Sequence, residues 1–190
     1  MTLRENKFYI YITIITLLSW LILRMTGMID HQFNQAPAHS PDYSSKGYTK
    51  WEMNEFGALK KKVMADEMLH YSDDGTTHMT LPIMTFINAK AKTPPWVVKS
   101  ETGLLSSDGK DLSLNGKVII NRIKAVGVSP LTINTNELKV KPETNYAETV
   151  EWAELISELN VTTGIGMKLT FIDPVHIQLL SHVKGSYEKK

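Results

Sequence analysis

The chain has 190 residues, 21 basic and 20 acidic, for a formal net charge of +1. So weak a field excludes general attraction to nucleic acid. The lack of cysteine excludes a disulfide framework, a thiolate metal site and a lipid-modified N-terminal cysteine.

Residues 8–23 (FYIYITIITLLSWLIL) form one uncharged apolar run, with Arg4 and Lys7 before it and Arg24 after it. At about 1.5 Å per residue such a run falls short of a hydrocarbon core of roughly 30 Å. Arg24 can snorkel toward headgroups, and Met25, Met28 and Ile29 then extend the span to about 22 residues. A single transmembrane helix is expected at 8–29. The rival is a cleaved signal peptide, since Ala36-Pro37-Ala38 has the small-x-small form. That site lies about a dozen residues past the run, where cleavage normally follows within a few, so a retained anchor is favoured. Arg4 and Lys7 then place residues 1–7 in the cytoplasm and the rest across the membrane.

Residues 30–46 (DHQFNQAPAHSPDYSSK) are polar and proline-containing, and read as a flexible tether. One domain is expected at 47–190, large enough to bury a core. Residues 58–69 and 147–159 have helix-forming composition, and their spacing fits helix or strand. The surrounding β pattern favours strand for both. In residues 76–88 (TTHMTLPIMTFIN) Met79, Leu81 and Ile83 alternate with Thr80, Pro82 and Met84, and Pro82 makes the run an edge strand or a bulge. Residues 111–124 put Leu112, Leu114, Val118 and Ile120 in one phase around Asn115-Gly116, which is a hairpin turn or a bulge. Residues 166–170 and 175–179 alternate again. Turn chemistry at Ser72-Asp73-Asp74-Gly75, Ser107-Asp108-Gly109 and Lys141-Pro142 separates these runs, as in a sandwich or jelly roll.

Signatures of catalysis are missing. No phosphate-binding glycine loop, G-x-S-x-G elbow or S-x-x-K motif occurs, so the expectation is a protein that is not an enzyme and needs no cofactor. His31 and His39 fall in the tether. His70 and His78 flank a turn, where a metal pair lacks a third ligand at recognisable spacing, and His176 and His182 occupy polar phases. Asp73 and Asp74 are explained by the turn at Gly75. Lys60, Lys61 and Lys62 suit phosphates or anionic headgroups, but a solvated or edge-protecting strand stretch explains them more simply. Asn160-Val161-Thr162 matches a glycosylation acceptor, a pattern too common to carry weight. What stands out is apolar alternation at Met79, Leu81, Ile83, Phe86, Leu112, Leu114, Val118, Ile120, Met167, Leu169 and Phe171: a core, or a surface that accepts acyl chains.

Residues 54–74 (NEFGALKKKVMADEMLHYSDD), Leu81-Pro82, 95–103 (PWVVKSETG), 112–120 (LSLNGKVII) and 133–140 (INTNELKV), following an anchor and a tether, resemble the LptC family of lipopolysaccharide export proteins, part of the OstA-like superfamily. The resemblance implies a periplasmic, open antiparallel β-jelly roll, shaped like a slotted boat, preceded by one N-terminal transmembrane helix in the bacterial inner membrane. Its function would be to receive lipopolysaccharide from the inner-membrane ABC transporter LptBFG and pass it to the periplasmic bridge protein LptA, toward the outer membrane. The alternative is an anchored β adaptor that pairs strand edges with partners and binds no lipid. The resemblance also turns the apolar positions above into candidate lipid-binding residues. To them it adds Tyr48 near the mouth of the slot, while Gly57 is implicated in transporter docking and Tyr187 in bridge-protein docking. A second family glycine is replaced by Ser157, and Gly164 is matched but has no expected role beyond backbone freedom.

Overall fold

With neither proline nor glycine to interrupt them, the first apolar residues form helix α1 (Leu3–Met25). The computed structural model describes residues 3–25, 39–88, 93–158, 160–172 and 174–187, in two units, Met1–Ala38 and His39–Lys190. Within α1 the segment Lys7–Met25 has the length and composition to cross a membrane; at 1.5 Å per residue it spans about 28 Å. Two of its hydroxyls are internally satisfied, Thr13 Oγ1 donating to the Tyr9 carbonyl and Thr16 Oγ1 to those of Ile12 and Thr13, as a dry environment requires. Arg24 lies over the Trp20 ring at 5.4 Å. Met28 and Ile29, the expected end of the span, lie outside the described residues.

The second unit is antiparallel throughout. Its strands are β1 (Tyr43–Met53), β2 (Leu59–His70), β3 (Thr77–Thr80), β4 (Ile83–Phe86), β5 (Trp96–Lys99), β6 (Thr102–Leu105), β7 (Leu112–Arg122), β8 (Leu131–Lys141), β9 (Tyr146–Ser157), β10 (Asn160–Thr170) and β11 (His176–Tyr187). Strands β3 and β4 pair with the two halves of β2, and β5 and β6 with the two halves of β7. Strand β4 also pairs with β5, and β3 with β6. Each of these short pairs is therefore one long rung broken in the middle, and the sheet is a meander in which every rung pairs with its neighbours in sequence. Both segments of ambiguous periodicity are strands, β2 and β9. Strand β1 begins inside the stretch read as tether, Tyr43 to Lys46 pairing with His70 to Glu67.

A crease crosses the meander. Left-handed residues occur at Gly47 in β1, Leu81 between β3 and β4, Gly116 in β7, Glu137 in β8, Gly166 in β10 and His182 in β11. Registers shift at the corresponding points of the β7–β8, β8–β9, β9–β10 and β10–β11 ladders. Bulges of this kind bend and twist a strand, and aligned across rungs they fold the whole sheet. The two halves meet face to face: Phe86 of β4 stacks on Phe171, just past β10, at 4.3 Å and 10°, although the two strands share no ladder. Trp96 meets the same Phe171 ring edge-on at 5.9 Å.

This crease corrects the reading of residues 76–88 as a single alternating run. Pro82 has no N–H to give, Leu81 takes φ 49°, and the Leu81 N–H leaves the ladder for the Glu101 carbonyl, 2.8 Å away. The inward phase therefore slips: Met79 is buried, Leu81 is exposed, and burial resumes at Pro82, Met84 and Phe86, with Ile83 only half-buried. In β7 the alternatives at Asn115-Gly116 resolve as a bulge inside one strand, and Leu112, Leu114, Val118 and Ile120 are all buried. Strand β11 runs to Tyr187, well beyond the alternation at 175–179, and is largely exposed along its length. Among the described residues, strands β1 and β11 each pair on one side only.

Candidate functional site

Between the two halves of the folded sheet, at the β1 end, lies a cleft of about 610 Å³. One wall carries Tyr43, Met68, Met79, Leu105 and Leu112, and the other Tyr48, Val63 and Met84. The crease puts them there: on β2 the inward residues are Lys61 and Ala65 on one side of it and Met68 on the other. Methionine at three of these positions gives a wall that can reshape around irregular apolar cargo.

The rim is charged. Lys50, Glu52, Lys60 and Lys61 edge the cleft from β1 and β2, facing the turns that hold Asp108 and Glu143. Lys61 is not the solvated strand residue that its sequence neighbours suggest: its side chain is 4% exposed and donates to Glu52 Oε1 at 3.2 Å. Lys60 reaches the same oxygen at 3.4 Å. Burial pulls the Lys61 ammonium below its ordinary pKa, against the opposing pull of Glu52. For Glu52 burial acts upward, but hydrogen bonds and charge from Lys61 and Lys60 outweigh it and hold the carboxyl below the usual range. Burial, with the neighbouring Tyr43, raises the Tyr48 phenol.

The candidate lipid-binding residues separate into three groups. Tyr48, Met79 and Leu112 line the cleft. Phe86, Leu114, Val118, Ile120, Met167, Leu169 and Phe171 sit at 0–1% exposure in a closed core, although Leu114 and Met167 also border a smaller depression of about 320 Å³. Leu81 is 49% exposed on the crease and Ile83 only half-buried, so neither joins the cleft. Sequence reasoning missed Tyr43, Val63, Met68, Met84 and Leu105. The even spacing of Val63 and Ala65 was a usable signal, but the phase slips that bring Met68 and Met84 inward were not legible.

Gly57 sits in the exposed turn between β1 and β2 at φ 75° with open space where a Cβ would be. The turn is held by Asn54, whose Oδ1 accepts from the Phe56 and Ala58 N–H groups. Tyr187 ends β11 at 73% exposure. Gly164 does more than supply backbone freedom: it is buried, and a Cβ there would come within 3.2 Å of Leu179 and of the Ser181 carbonyl, so its bareness lets β11 lie close to β10. Ser157 Oγ donates to the Pro130 carbonyl at 2.9 Å.

The histidines form no facing pair across the turn. His70 is in register with Thr77, and His78 with Leu69. His39 packs on the domain, stacking on Tyr71 at 4.3 Å with Nδ1 2.8 Å from Asp73 Oδ2. Asp74 caps the turn, accepting from the Thr76 N–H and hydroxyl, as its sequence setting predicts.

A family model described as lipopolysaccharide-assembly, LptC-related, matches residues 8–188. The lipopolysaccharide export system protein LptC of Escherichia coli K12 is 27% identical over 151 residues, covering 79% of this chain and 76% of that one. The protein of the same description from Shigella flexneri matches equally. Among solved structures, LptH of Pseudomonas aeruginosa, described as the LptA homologous periplasmic component of the lipopolysaccharide transport device, aligns with a TM-score of 0.52 at 11% identity. It covers 68% of this chain and 95% of that one, a likeness of fold.

Proposed function

The chain belongs to the LptC family and takes part in lipopolysaccharide transport; from that premise we propose that its β domain is a lipid relay. In this reading it receives lipopolysaccharide from an inner-membrane ABC transporter and hands it to a periplasmic bridge protein of the LptA kind. The cleft carries the proposal: Tyr48, Met79 and Leu112 border a space between two half-sheets, at the end of a meander whose first and last strands each have an edge that no described residue pairs with. Acyl chains in water cost about 0.8 kcal/mol per CH₂, so a carrier needs an apolar shelter continuous with those of its neighbours. The free edges of β1 and β11 provide sites for strand pairing with such neighbours, with Gly57 near one and Tyr187 on the other.

Helix α1 suggests a membrane anchor, with residues 1–7 cytoplasmic and the β domain periplasmic in the proposed topology. The domain performs no chemistry in this scheme, and directionality comes from a partner that hydrolyses ATP. The closed centre of the core has a consequence: a lipid resting in the cleft reaches past Leu112 only if the half-sheets separate about the crease. Binding of lipopolysaccharide to the full chain in detergent tests the reading. Saturable binding that falls when Met79 is replaced by aspartate is expected; transporter binding without lipid binding would favour an adaptor instead.

A further inference from the structure

The Lys61 ammonium is buried at the charged rim of the cleft, where taking a charge out of water is costly and an apolar side chain of similar size would avoid that cost. A lysine offers three donors, and a charge withdrawn from water requires them to be filled. Lys61, with its side chain 4% exposed, makes one hydrogen bond among the described residues, to Glu52 Oε1. That single oxygen is shared with Lys60. Lys50, on the same rim, makes no ion pair with a described residue. The opposite rim carries Glu143, close enough to Lys61 to favour its charged form, and Asp108, whose carboxylate is engaged by the Ser106 hydroxyl and the Lys110 N–H. Charge is thus balanced around the rim but unevenly placed, with all three ammonium groups and one carboxylate, Glu52, on the β1–β2 side and the other two carboxylates opposite.

We propose that Lys61, with Lys60 and Lys50, is an anion subsite that takes the phosphate of an amphiphile whose acyl chains lie against Val63, Met79 and Met84. This assignment rests on the lipid-relay reading and specifies which part of the cargo the mouth of the cleft recognises. A phosphate monoester brings three acceptor oxygens and up to two negative charges, enough to fill donors on both Lys60 and Lys61 where one carboxylate oxygen now serves both. Glu52 acts as a stand-in for that phosphate. Its side chain is 42% exposed, so once displaced it turns to water, and the buried ammonium is never left without a counter-charge.

The test uses the full chain in detergent micelles and compares lipopolysaccharide with the same material after enzymatic removal of its phosphates. The wild type should bind the phosphorylated form about tenfold more tightly or better, the discrimination expected of a charge-assisted contact. Lys61→Met should lose most of that ratio while keeping its affinity for the dephosphorylated form. Lys60→Gln, at a half-exposed position where folding is not at stake, should lose part of it. Equal binding of both forms by the wild type, or an unchanged ratio in both variants, overturns the subsite and leaves the lipid-relay reading standing. Binding of neither form overturns both. Inorganic phosphate titrated alone should bind at least about a hundredfold more weakly than the phosphorylated lipid; comparable affinity would assign the lysines to a soluble anion and overturn the proposal.

Discussion

Replacing Phe86 with alanine asks whether the centre of the folded sheet is a closed core or a standing lipid slot. The ring is 1% exposed and stacks on Phe171 from the opposing half-sheet at 4.3 Å. Truncation exposes roughly 100 Å² of apolar surface equivalent, which at about 25 cal/mol per Å² is about 2.5 kcal/mol. Loss of the stacked pair adds about 1 kcal/mol, and the cavity left between two half-sheets brings the total to about 4 kcal/mol, in the usual range for buried Phe→Ala. In a chain of this size that lowers Tm by about 12 °C. Urea unfolding of the full chain in detergent, followed by circular dichroism, measures it, and lipid affinity at the cleft should be unchanged in the folded variant. A loss below about 1 kcal/mol, within the range of ordinary surface substitutions, would refute the reasoning, because a ring lining an open slot has no cavity to leave behind.

Glu52→Gln should be destabilising at about pH 7, because Lys61 then keeps its burial without its counter-charge. Since the folded Glu52 pKa lies below the free value of 4.5, the wild-type advantage is present above that value and closes as pH falls through the folded pKa. Denaturation series at about pH 7 and about pH 3 check this, and an advantage undiminished at the lower pH would contradict it. Gly164→Val places a side chain against Leu179 and the Ser181 carbonyl, and should lower hydrogen-exchange protection along β11 by about tenfold or more while β2 to β8 keep theirs. Uniform protection loss, or none, would show that the glycine is not what seats β11. Gly57→Ala meets no neighbour and should cost only about 1–2 kcal/mol for its left-handed backbone. Loss of transporter co-purification in this still-folded variant would assign docking to the β1–β2 turn, and retention would remove Gly57 from that surface.

Strand content was legible where alternation was long and uninterrupted, as in β7, where Leu112, Leu114, Val118 and Ile120 keep one phase through the bulge at Gly116. The segments that became β2 and β9 were decided by context, since their own composition suits a helix as well. What the sequence concealed was the crease. Glycine announces a left-handed residue at positions 47, 116 and 166, but Leu81, Glu137 and His182 adopt the same conformation only because neighbouring rungs bend together. The bend at Leu81 shifts which residues point inward, so Met84 exchanged places with Leu81 and Ile83. Lys61 was obscured for a different reason: it shares the inward phase of Val63 and Ala65, but a lysine there reads as an interruption of the apolar pattern, because its partner Glu52 lies on the adjacent strand.

Lipid contact at the cleft is tested most directly by site-specific photo-crosslinking at two adjacent positions of β3. Met79 is buried against the cleft, and Thr80, the next residue, is exposed on the opposite face. Crosslinkers placed singly at each, in the full chain with its transporter and ATP, should label lipopolysaccharide strongly from position 79 and little from position 80. Equal labelling from both positions, or labelling from neither, would contradict a lipid path through this cleft.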